Sequence, residues 1–252
     1  MNLISFCDGA NTCGYVAKKI GLNHTHLIDK TPGISRITTA KVIELLEDWR
    51  IINDKIDVAY LRTPRLQLST HRSSDYDHFF FKEILSFMDI KKPKWVIWEA
   101  HPRLIQANGG RQFREIIGGI TSIGYGVSWR VFDSSLFRSP IQSDKLILVC
   151  CFNEWESTRS VLFEEESSLG AFEFKGKARK GSKLSPLPED QRAIELTPEM
   201  ILLANNLPSS HLSKIPKDNR ARVAKNASNA LLVEFLLSRI KDLQCPSEGS
   251  QR

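Results

Sequence analysis

Short apolar runs alternate along the chain with stretches whose apolar residues recur at helical spacing. Leu3 to Phe6 is the first such run, followed by a glycine-containing turn from Asp8 to Gly14, and Tyr15 to Ile20 reads as a helix stopped by Gly21. His26 to Ile28 predicts a second strand ending at Asp29, and Val42, Leu45, Leu46 and Trp49 place an apolar stripe on a helix over Thr39 to Trp49. Ile56 to Leu61 makes a third strand, Phe79 to Met88 an amphipathic helix, and Trp95 to Trp98 a buried strand leading to Glu99. Gly110 to Ile123 is expected to be helical, with further strands at Val127 to Phe132 and Leu146 to Cys151. That alternation predicts an open α/β fold, a mainly parallel sheet covered by helices on both faces.

The pattern changes at Asn153. From there to Gln191 helical periodicity weakens while Gly, Ser and Lys accumulate, notably in FKGKARKGSKLSP from Phe174 to Pro186, so 153–191 is expected to be a small, basic, loop-rich insert. Residues 1–152 then form the α/β domain, 192–243 complete it, and 244–252 are a flexible tail. Within the completing segment, Thr197 with Pro198 behind it opens a helix to Leu207, and Asn226 to Leu243 reads as a final amphipathic helix.

Composition narrows the class. The longest apolar runs, Trp95 to Trp98 and Leu146 to Phe152, fall far short of the roughly 20 residues of a membrane span. The opening stretch MNLISFCDGANTCG lacks the basic start and apolar run of a secretory signal, so an intracellular protein is expected, cytoplasmic or nuclear according to its host. Cys7, Cys13, Cys150, Cys151 and Cys245 form no CxxC pair, which predicts free thiols and neither a zinc site nor a disulfide framework. A formal charge of +6 suits a polyanionic partner without identifying one.

The first β-turn-α unit carries FCDGANTCG. Such a turn brings backbone amides close to a ligand, and an acid at the end of the next strand, here Asp29, can bond a ribose. Further fragments follow in order: DVAYLRTPRLQLS from Asp57, VIWEAHPRLI from Val96, GYGVSWRVFDSSLFRSPIQSDKLILV from Gly124, AIELTPEMILLANNLP from Ala193, and RVAKNASNALLVEFLLSRI from Arg222. Together, and over nearly the whole chain, these resemble the motifs of DNA cytosine-5 methyltransferases: the DGxxTG cofactor loop, GGxPCQxFS, ENV, the paired-arginine segment, LTxxExxxLQGFP and GNAVxxxV. The resemblance implies a Rossmann-like class I methyltransferase fold. It also implies a place for S-adenosylmethionine among Asp8, Gly9, Thr12, Gly14 and Asp29, and puts Glu99 at the acid of ENV.

The same resemblance exposes several replacements. Arg65 stands where the nucleophilic cysteine belongs, Ala100 replaces the Asn of ENV, Ser143 and Lys145 occupy the two arginine positions, and Lys225 and Asn229 occupy the Gly and Pro of GNAVP. Cytosine C5 becomes nucleophilic enough for methyl transfer only after a thiolate adds to C6, and a guanidinium, always protonated, cannot make that attack. The implied protein is thus a catalytically inactive homologue that binds DNA or regulates, with an active methyltransferase as one conceivable partner. The alternative is a nucleic-acid-modifying enzyme using another nucleophile or different chemistry. Cys7 and Cys13 inside the cofactor loop argue against tight cofactor binding. Arg65, His71, Arg72, Lys145 and the insert's Lys175, Lys177, Arg179, Lys180 and Lys183 are the expected nucleic-acid contacts.

Overall fold

The computed structural model describes residues 1–63, 75–140, 144–163 and 196–244, with the side chains of 75–78 left aside. Seven strands form one sheet: β1 (Asn2–Phe6), β2 (Asn23–Ile28), β3 (Lys41–Ile43), β4 (Val58–Arg62), β5 (Trp95–Ala100), β6 (Tyr125–Phe132) and β7 (Lys145–Phe152). Their spatial order is β3-β2-β1-β4-β5-β7-β6. Every pairing from β3 through β5 is parallel, and β7 alone runs antiparallel, to both β5 and β6. The helices are α1 (Thr12–Ile20), α2 (Asp75–Lys91), α3 (Arg111–Ser122), α4 (Glu156–Leu162), α5 (Pro198–Ala204), α6 (Lys217–Lys225) and α7 (Ala230–Gln244).

Because the central strands are covered on both faces, they read as unbroken apolar runs rather than alternations. One face of the sheet packs with residues of α1, α4, α5 and α7, among them Val16, Val161, Leu202 and Leu236. The other packs with α2 and α3 through Ile84, Phe87 and Ile116. Adjacent side chains of a strand point to opposite faces, so Cys150 joins the second core and Cys151 the first, and both are fully buried. The four described cysteines are free thiols.

Three expectations change. Residues 39–49 do not form a helix: Lys41–Ile43 pair as β3 on the edge of the sheet, and Leu46–Ile51 form a 3-10 turn. Ile43 and Trp49 are buried while Leu45 is exposed, so the apparent stripe joins residues from two different elements. The final helix starts later than Asn226: residues 226–229 are not helical, α7 begins at Ala230, and a separate helix not expected from the sequence, α6, precedes them and ends at Lys225. The stretch expected as a loop-rich insert opens with α4, whose Val161 and Leu162 are fully buried, and the rest of it, 164–191, lies outside the described residues. Thr197 caps α5 as expected, accepting from Met200 N at 3.3 Å.

The turn between β7 and α4 is pressed onto β6. A Cβ placed on Gly126 would lie 2.4 Å from the Trp155 Cα and 2.5 Å from the Glu154 carbonyl oxygen, backbone atoms that no rotamer change can move. Gly126→Ala is therefore expected to cost about 1–3 kcal/mol as an overpacked site, read as a lower urea midpoint at unchanged slope.

Candidate active site and cofactor cleft

Two groups of residues meet at the carboxyl ends of the parallel strands. The first is built on Glu99, which lies inside the central strand β5 at 2 % exposure. Its register partner on β4 is Arg62, with Tyr60 two residues earlier on the same face, and Lys145 comes from the start of antiparallel β7. Tyr60 Oη and Ser228 Oγ both donate to Glu99 Oε2, the latter at 2.6 Å. The other carboxylate oxygen, Oε1, lies 3.2 Å from Lys145 Nζ and 3.7 Å from Arg62 Nε, ion pairs without a well-aligned hydrogen bond. Burial alone would raise this carboxyl's pKa, but the cations Lys145 and Arg62 with the two hydroxyls prevail and hold it at about 2. Glu99 is thus a fixed anion at the floor of the site.

The second group surrounds the β1–α1 turn. Asp8 is fully buried and accepts from Thr12 N at 3.0 Å and Cys13 N at 2.7 Å, satisfying two amides at the start of α1. Desolvation nevertheless pushes its pKa up to about 7, against the opposing pull of the Cys13 amide and the Arg62 charge. Asp29, at the end of β2, accepts from Thr31 N at 2.6 Å and is likewise shifted upward by burial. Gly9 faces the loop between α6 and α7: a Cβ there would meet Asn226 Cβ and Nδ2 at 2.9 Å and Thr31 Oγ1 at 3.0 Å. Thr12 Oγ1 accepts from Ser228 N at 3.2 Å, and Gly14 lies against Asn11 and His24. Arg62 crosses between the two groups, its guanidinium donating to the Asn226 carbonyl.

The five expected cofactor residues are therefore gathered in one place. Glu99 lies close by, and Lys145 directs its ammonium to Glu99. Arg65, His71, Arg72, Lys175, Lys177, Arg179, Lys180 and Lys183 lie outside the described residues, as does Ser143. Tyr60, Arg62, Asn226 and Ser228 complete the site and were not expected from the sequence. Arg62 had a signal: it stands at the second glycine of the GGxPCQxFS pattern, three residues before Arg65. Asn229, read as a missing proline, caps α7 instead, its Oδ1 accepting from Leu231 N at 3.0 Å and Leu232 N at 3.3 Å. Among the described residues no three His, Cys, Asp or Glu side chains gather as a metal site, and no helix is long and apolar enough to cross a membrane.

Strand order, the single antiparallel β7 and the acid-lined ends of β1, β2 and β5 define a class I methyltransferase-type α/β protein. The family model of C-5 cytosine-specific DNA methylases matches residues 69–248, well over half of the chain, and the chain belongs to that family. Solved structures agree on the fold. A protein described as a DNA modification methyltransferase encoded within a prophage (E. coli) superposes with a TM-score of 0.72 at 10% identity, covering 97% of this chain and 99% of that one. The S. pombe Dnmt2 methyltransferase gives 0.65 at 12% identity, covering 96% and 99%. The Entamoeba histolytica methyltransferase EhMeth gives 0.62 at 13% identity, covering 97% and 98%. No curated protein gives a significant sequence match.

Membership implies S-adenosylmethionine as methyl donor, and the groups expected to hold it already have partners within the protein. Asp8 is turned inward onto α1, Asp29 is held by Thr31, Thr12 is bonded to Ser228, and Gly9 is covered by Asn226.

Two titrations of opposite sign follow. Glu99 has a depressed pKa, so its contribution to stability is present above about pH 4.5 and lost as pH falls toward about 2. Asp8 has a raised pKa, so its contribution is present below about pH 4 and lost as pH rises through about 7. Glu99→Gln at pH 7 is expected to cost about 3–5 kcal/mol, because it leaves Lys145 and Arg62 without their buried anion. Asp8→Asn is expected to flatten the decline in stability between about pH 4 and about pH 7, with urea unfolding across that range as the check for both variants.

Proposed function

We propose that this chain is a catalytically inactive C-5 cytosine methyltransferase homologue that binds DNA, acting as a DNA-binding or regulatory module beside an active methyltransferase. The proposal rests on Arg65, which the resemblance to the GGxPCQxFS motif puts at the nucleophile position. A guanidinium has no free electron pair for attack at cytosine C6, and without that covalent bond C5 remains too weak a nucleophile for methyl transfer.

No described thiol takes over the role. Burial pushes Cys7 up to about 12 and Cys151 up to about 11, and raises Cys13 and Cys150 well above the ordinary thiol range. These sulfurs stay protonated at neutral pH, and a thiol is a far poorer nucleophile than a thiolate. Cys13, Cys150 and Cys151 are also fully buried. Glu99 stays ionised, but it is buried and both of its oxygens are engaged by Tyr60, Ser228, Lys145 and Arg62, so the DNA contacts proposed here are carried by basic side chains and not by this carboxylate.

The basic positions of the insert, Lys175, Lys177, Arg179, Lys180 and Lys183, supply charge for phosphate contacts that do not depend on sequence. Lys145 contributes through Glu99 rather than through a phosphate, since the two are 3.2 Å apart.

Two measurements test the proposal. Incubation with radiolabelled S-adenosylmethionine and duplex DNA is expected to label no DNA, and transfer of label would overturn inactivity. Fluorescence anisotropy is expected to show DNA binding that weakens steeply with salt. Replacing the five insert cations by Ala should lower the log–log salt slope by up to about 4.5, at roughly 0.9 per phosphate contact. Absence of DNA binding at low salt would sink the DNA-binding half.

A further inference from the structure

We infer that Arg62 is a built-in cation that occupies the cofactor cleft in place of S-adenosylmethionine, closing the site from within. In an open α/β sheet the ligand crevice lies outside the carboxyl ends of the strands where the connection order reverses. Here that point lies between β1 and β4, the strands that end at Phe6 and Arg62. Arg62 is the last residue of β4, and its side chain is only 14% exposed.

Its surroundings are those of a bound ligand. The guanidinium donates to the Asn226 carbonyl on the loop between α6 and α7, across the cleft from β4. Nε lies 3.7 Å from Glu99 Oε1 at the end of β5. Its charge is also felt at the Asp8 and Asp29 carboxyls, at the ends of β1 and β2. One side chain therefore contacts the end of β5 and the loop between α6 and α7, and its charge acts on the acids that follow β1 and β2. The same loop places Asn226 over Gly9, where backbone would have to remain open for close approach of a ligand.

Charge explains why an arginine suits this place. S-adenosylmethionine carries a sulfonium, an ammonium and a carboxylate, a net charge of about +1 at neutral pH, the same as one guanidinium. A crevice lined by Asp8, Asp29 and Glu99, with Lys145 already paired to Glu99, receives one further positive charge from either. A glycine at this position, as in the GGxPCQxFS pattern, leaves the balance to the ligand, whereas Arg62 supplies it covalently and permanently.

The inference rests on family membership and is separable from the proposed function. Calorimetric titration with S-adenosylmethionine, whose net positive charge Arg62 replaces, is expected to give no heat of binding with the full wild-type chain. Arg62→Gly, verified as folded by circular dichroism, is expected to gain at least a tenfold increase in affinity and a ligand-dependent rise in melting temperature. Binding to the wild type at comparable affinity, or no gain in a folded Arg62→Gly protein, would overturn the assignment. Should Arg62→Gly not fold, nitrogen-15 spectra of the wild type decide. A slowly exchanging Arg62 Nε–H signal unmoved by S-adenosylmethionine supports the internal occupant, and a signal displaced by it overturns that reading. A chain that binds the cofactor yet transfers no methyl group would refute the role of Arg62 and leave the proposed inactivity standing.

Discussion

A buried carboxylate near the end of a central strand can be tolerated only if its neighbours neutralise it, because a lone ion transferred from water into a packed interior costs several kcal/mol. Glu99 meets that condition with groups from three separate parts of the chain. Tyr60 and Arg62 come from β4, Lys145 from β7, and Ser228 from the loop between α6 and α7. The constraint propagates: Ser228 donates its amide to Thr12, and the Thr12 amide in turn donates to Asp8. A connected set of polar contacts thus fixes the ends of β1, β4, β5 and β7 and the position of α7 relative to α1. The packed cores on either face of the sheet supply most of the burial, but this network sets how the loops above them are arranged.

Much of the sheet could be read directly from sequence because its central strands are short, continuous apolar runs, and because helices α1, α2 and α3 carry clear apolar stripes. Thr39 to Trp49 misled because Val42, Leu45, Leu46 and Trp49 satisfy helical spacing while belonging to β3, the following turn and a 3-10 segment. Local spacing cannot reveal that Lys41–Ile43 finds hydrogen-bond partners on β2. The site was legible where a motif named a residue, as with Asp8, Asp29 and Glu99. It was not legible where function arises from contacts across long separations: Tyr60 reaches Glu99 across 39 positions, Ser228 across 129, and Arg62 reaches Asn226 across 164.

The replaced motif positions separate into two kinds once their contacts are known. Some keep a structural task with different atoms. Lys145 provides a cation to Glu99 from an arginine position, and Asn229 starts α7 from a proline position by accepting two backbone amides instead of tolerating their absence. Another adds to the site: Arg62 places a side chain where the pattern has a glycine, while Arg65 lies outside the described residues. Counting all of them as equal signs of decay would have obscured this difference.

Arg62 also changes how the acids should be understood. Asp8 and Asp29 both have their pKa raised by burial, and for each the arginine is among the influences pulling it back down. Such acids would be poorly matched to an empty apolar cleft, where burial without a counter-charge would drive them toward the protonated form. Their persistence alongside Arg62 requires no cofactor to account for it, since an internal cation gives them the electrostatic partner that a bound cationic ligand would otherwise provide. An acid-lined pocket outline in a sequence is therefore compatible with two opposite states, one awaiting a ligand and one already neutralised. The residue at the end of β4 is the position that distinguishes them.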